Sequence, residues 1–131
     1  MDSSSIQLNG SEIEKIEVEG TTVKVYFSRA ILIKTMTGSA EKTKWWQSGY
    51  LVFEDAELVE QAVLPAVCAG GDVVENVFTY RDMIPVPLDS RGRAYCDLYF
   101  EDASDHLKVE ASAVRLEMLE VPKYIEHIRP E

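Results

Sequence analysis

The chain has 131 residues, 46% apolar and 27% charged, a composition that suits one folded globular domain and not a disordered segment. Lys and Arg number 13 against 23 Asp and Glu, giving a net charge of −10, so a phosphate-led grip on nucleic acid is not expected. No stretch approaches the ~20 apolar residues of a membrane-spanning helix, and Met1–Ser5 opens no secretory leader, so a cytoplasmic protein without membrane contact is expected.

In chain order, residues 1–10 are a candidate for disorder. Ile16 and Val18 then alternate with Glu17 and Glu19, and Glu19-Gly20-Thr21-Thr22 reads as a turn. Beyond it Val23, Val25 and Phe27 share one strand face, opposite Thr22, Lys24 and Tyr26. Between Lys24 and Lys44 five cations face a single acid, Glu41, so this segment is +4 and the rest of the chain −14.

Lys44-Trp45-Trp46-Gln47 runs into the strand-like Tyr50–Phe53. Neighbouring side chains of a strand point to opposite faces. Parity sets Trp45 inward with Leu51 and Phe53, and places Trp46 with Tyr50 and Val52, available to a ligand or partner. A bulge at Gly49 would exchange the two faces.

A short pattern recurs three times, as Tyr26-Phe27-Ser28-Arg29-Ala30, Val52-Phe53-Glu54-Asp55-Ala56 and Tyr99-Phe100-Glu101-Asp102-Ala103. Each Phe is expected to anchor the core at a strand end. The polar pair after it would turn the chain, and the small Ala would re-enter where space is tight. Residues 55–64 carry helix-like spacing in Leu58, Val59, Ala62 and Val63, yet the repeat continues as strand elsewhere, so both readings stand.

Ala66–Asp72, with Gly70-Gly71, reads as a loop, and Ile84–Leu88, with two prolines, as an edge strand. Asp89-Ser90-Arg91-Gly92-Arg93 reads as a hairpin tip. Cys96, Leu98 and Phe100 then oppose Tyr95, Asp97 and Tyr99. Leu107 to Ala113 alternates in one phase and Val114 to Met118 in the other, which predicts a bulge at Ala113–Val114. Pro122–Ile128 fits one or two helical turns, leaving 122–131 as a tail or short helix.

Few residues suggest chemistry. Cys68 and Cys96, 28 residues apart, form no metal clamp and read as buried thiols. Asp102, Asp105 and His106 hold the types of a metal site, but turn aspartates more often bond their own backbone, so no metal and no cofactor is expected. No nucleophile elbow, zinc-protease motif or phosphate loop is present, and the sequence leans against catalysis. Tyr26, Tyr50, Tyr95 and Tyr99 lie opposite the inward positions. They suggest a half-exposed tyrosine face, suited to ligand binding or to a homodimer.

The expected fold is all-β, a single domain over 1–131. It would be an antiparallel sandwich or partly open barrel of about eight to ten strands with at most one or two short helices. The alternative is α+β with a helix at 55–64. The leading functional expectation is an acidic, non-enzymatic interaction protein, an adaptor or immunity-type protein engaging a basic protein. The alternatives are a small-ligand or carbohydrate module using Trp45 or Trp46 and the tyrosine face, and an acid-residue enzyme in a barrel mouth.

Overall fold

The alternation around Gly20 makes a long antiparallel hairpin of β1 (Ser3–Glu19) and β2 (Thr22–Thr35), paired from Glu19↔Thr22 up to Ser3↔Thr35. The computed structural model describes residues 3–36, 38 and 40–129. The remaining strands are β3 (Lys42–Glu54), β4 (Glu57–Glu60), β5 (Ala66–Glu75), β6 (Phe78–Arg81), β7 (Met83–Val86), β8 (Asp89–Phe100), β9 (Leu107–Met118) and β10 (Lys123–Ile128). The protein is all-β, and no helix occurs among the described residues.

Hydrogen-bonded neighbours run β3-β2-β1-β5-β8-β9, and β9 returns to β3 through Phe53↔Val114 and its flanking pairs. Six antiparallel strands therefore close a barrel. The far halves of β1, β2 and β3 continue past the barrel as a sheet extension, edged by β7 on β1 and β10 on β3. β4 covers the part of β9 that β3 no longer reaches, and β6 flanks β5.

The barrel interior is filled by side chains. Phe27, Phe53 and Phe100 all lie in it, packed with Leu51, Leu98 and Val25. After each of these phenylalanines the regular ladder breaks, in three different ways. The β2 ladder to β3 slips register between Phe27 and Ala30. Asp55, at φ 48°, kinks β3 into β4. Glu101-Asp102 forms the β8–β9 turn. Ala30 is buried and Ala56 packs on the core, whereas Ala103 is exposed, so tight re-entry holds for two copies of the repeat.

Several local expectations give way to the ladders. From Ser3 onward, the segment allowed to be disordered is strand, held between β2 and β7, with Ile6 and Leu8 fully buried. Residues 55–64 contain β4 and no helix. Ala66–Asp72 belongs to β5, not to a loop. Its glycines serve close packing: a Cβ on Gly71, at φ 151°, would run into the Asp97 carbonyl, and Leu98 crowds it at 2.8 Å. Asp89–Arg93 is not a hairpin tip but the start of β8. Gly92, at φ 114°, supplies a bulge there, and the Asn76 side chain fills the space a Cβ would need.

That bulge also relocates the expected irregularity. Val109 and Val114 both enter the core, so the phase of β9 does change between them. The additional residue lies on β8, between Arg91↔Ala113 and Ala94↔Ala111, rather than at Ala113–Val114. Lys123–Ile128 is strand in place of a helical turn, because β9 leaves residues 42–46 of β3 without a partner on that side.

Candidate functional site

β3 carries both tryptophans into the sheet extension. Trp45 is opposite Leu32 and Tyr124, and Trp46 is opposite Ile31 and Lys123. The two indoles thus point to opposite faces. Trp45 is partly buried against the core, its Nε1–H donates to Thr43 Oγ1 at 2.8 Å, and the Tyr124 ring meets it edge-on at 5.2 Å. Trp46, also half-buried, lies on the outer face between two cations, Lys123 Nζ at 4.7 Å and the Arg29 guanidinium at 5.8 Å from its ring.

The four tyrosines do not form one face. Tyr26 and Tyr50 pair across β2 and β3 with ring centroids 5.0 Å apart, under Lys15 and Lys24. Tyr95 and Tyr99 stand on β8, three strands from β2 in either direction around the barrel and two from β3 by way of β9. Strand parity predicts which side each ring takes, but not that barrel closure would carry the pairs to opposite walls.

Tyr99 instead joins a polar cleft of about 270 Å³ on the β5–β8 wall, with Asp72, Arg81, Asp82, Asp97 and His106. His106 Nδ1 lies 2.7 Å from Asp97 Oδ1, and Arg81 pairs with Asp72 at 3.1 Å. His106 is therefore partnered by Asp97, not gathered with Asp102 and Asp105. Among the described residues no group of three or more His, Cys, Asp or Glu side chains is placed to hold a metal ion.

At one barrel end Glu54 lines a cleft of about 510 Å³ with Asp55, Asp89, Arg91 and Arg115. Hydrogen bonds from Thr22 and then Arg115 hold its carboxyl below the usual range. Glu75, bonded by Ser90 and Tyr80, moves in the same direction. An acid–base pair needs two carboxyls driven apart, and these two are both stabilised as anions. The thiols are chemically quiet: desolvation pushes Cys68 to about 11 and Cys96 to about 12.

A charged rim is built from three segments. The end of β1 brings Glu14, Glu17 and Glu19, the β3–β4 link and β4 bring Asp55, Glu57 and Glu60, and the β8–β9 turn brings Glu101, Asp102 and Asp105. The backbone ties these segments together. Ala56 N–H donates to the Thr21 carbonyl at 2.8 Å, and His106 N–H donates to Glu60 Oε2. Val63 lies in one cleft with Glu101 and Asp102 and in another with Glu14 and Lys15. No known family model, curated protein or solved structure matches the chain. The rim must be read from its own chemistry. Within residues 14–20, 55–65 and 101–106 the only Lys or Arg is Lys15, which pairs with Glu17 at 3.2 Å. Lys24 and Lys108 reach in from neighbouring strand positions to Glu19 and Glu60. Among the carboxylates three valines are exposed, Val18 at 58%, Val59 at 50% and Val63 at 80%. The sequence signals the acids, but the gathering of three distant segments at one end comes from the barrel.

Among the described residues no helix is long and apolar enough to cross a membrane.

Proposed function

We propose that this chain is a non-enzymatic interaction protein that engages a basic protein partner through the acidic rim. The observation that carries the reading is that three segments linked at one barrel end carry nine carboxylates together with the exposed Val18, Val59 and Val63. Apolar side chains standing in water within a charged ring have the make-up of an interface core and its rim. The negative field would steer a cationic surface and raise the encounter rate, and the valines would supply the water-excluded contact. A filled barrel interior leaves surface recognition as the mode. The cytoplasm is the proposed setting, where buried thiols such as Cys68 and Cys96 remain reduced.

The test is an NMR titration with a synthetic amphipathic peptide of lysine and leucine, run at low and at physiological salt. Shifts confined to 14–20, 55–65 and 101–106, weakened by salt and abolished by Glu57→Lys with Asp102→Lys, are expected. Shifts elsewhere, or a response unchanged by the charge reversals, overturn the reading.

A further inference from the structure

We infer that the opposite end of the molecule holds a binding pocket for a small carboxylate with an apolar body, in the cleft where Lys34 stands over Trp45. The ladders build it in two rungs. Ile6, Leu32, Trp45 and Tyr124 lie opposite one another across β1, β2, β3 and β10, and of these Trp45 lines the cleft. One rung outward on the same face, Ser4, Lys34 and Thr43 are aligned in the same way. A cleft of about 420 Å³ opens here, lined by Ser3, Ser4, Lys34, Thr35, Met36, Thr43 and Trp45. That volume lies within the range of small-molecule sites, which join apolar walls to a few placed polar groups.

The electrostatics select the ligand. Lys34 Nζ stands 4.6 Å from the Trp45 ring centroid, and among the described residues no carboxylate lies within ion-pair distance of it. Lys44, next to Trp45 on β3, is by contrast paired with Glu126. The indole orients the ammonium without neutralising it. An anion entering the cleft would take a charge-assisted hydrogen bond from Lys34. Hydroxyl donors stand beside it on Ser4 and Thr43, the Thr43 oxygen already accepting from Trp45 Nε1. Met36, 58% exposed, and the part of Trp45 that lines the cleft beyond Lys34 then offer apolar surface to the rest of the molecule. A neutral molecule would gain the apolar contact alone, and a cation would be repelled. A sugar would find the Trp45 face already occupied by Lys34.

The pocket lies at the far ends of β1, β2 and β3 from the acidic rim, so each site can be disproved without touching the other. The experiment is calorimetry with 3-phenylpropanoate, octanoate and the neutral 3-phenylpropanamide, backed by indole fluorescence in a Trp46→Phe variant, in which Trp45 alone reports. The carboxylates are expected to bind at least about tenfold more tightly than the amide and to shift the Trp45 emission. Lys34→Met should lower carboxylate affinity to that of the amide. Lys42→Met, a cation outside the cleft, should leave it unchanged. Thermal melting of both variants checks that the fold persists. No binding of either carboxylate at about 10 mM, equal affinity for carboxylate and amide, or equal losses in the two lysine variants each overturn the proposal.

Discussion

Asp82 and Gly71 are bonded to each other twice. The Asp82 N–H donates to the Gly71 carbonyl at 2.7 Å, and the Gly71 N–H donates to Asp82 Oδ1 at 3.0 Å. Asp82 accepts a third bond at its own carbonyl from Leu8 N–H at 3.0 Å, which locks β5, β1 and the β6–β7 corner together.

Gly71→Ala is therefore expected to destabilise the protein by about 2–5 kcal/mol, since the methyl meets the Asp97 carbonyl and Leu98 and the backbone stands at φ 151°. Urea denaturation checks this. A midpoint equal to the parent's would mean that β5 and β8 are further apart than described.

The core assignment predicts an asymmetry between two phenylalanines. Phe53 is fully buried and Phe53→Ala should cost ~3–5 kcal/mol. Phe78, 60% exposed near the β5–β6 turn, should change stability by only about 0.5 kcal/mol when replaced by Ala. Comparable losses in the two variants would refute the packing.

Local pattern predicts these strands well, because an inward Phe or Val leaves a period-2 trace whatever its neighbours are. What it misreads are glycines. Gly70-Gly71 and Gly92 look like loop and turn signals, but their small size is used for strand packing and a bulge. Their partners, Leu98 and Asn76, are distant in sequence, so no window of neighbouring residues records the contact. The same holds for function. Trp46 and the tyrosines stand out by type, while the Lys34–Trp45 pocket and the acidic rim arise only when register and closure bring separate segments together.

The thiols yield a pH prediction. Burial raises Cys68 from 9.0 to about 11 and Cys96 from 9.0 to about 12, so the folded state disfavours both thiolates. Their contribution to stability is full below pH 9. It declines as pH rises from there towards 11 and 12, because the unfolded chain ionises first. Native protein should resist iodoacetamide at pH 8 and react at both cysteines once unfolded in urea. Rapid alkylation of folded protein would contradict their burial.

For the indoles, the variant retaining only Trp45 is expected to be quenched more slowly by acrylamide than the variant retaining only Trp46. Trp45 packs on the core edge, while Trp46 rests between Lys123 and Arg29 on the outer face. Single Trp→Phe substitutions at each position supply the measurement, and the reverse order would exchange the two faces of β3.

The seam between β3 and β9 bears on how the chain is made. A ribosome delivers Phe53 long before Val114, its partner across that seam. Until the later strand emerges, residues 49–54 of β3 have β2 on one side and an open row of amides and carbonyls on the other. The nascent hairpin is thus exposed to strand pairing with neighbouring chains for the time needed to synthesise on the order of 60 residues, and ring closure must then overcome the entropy of that long loop.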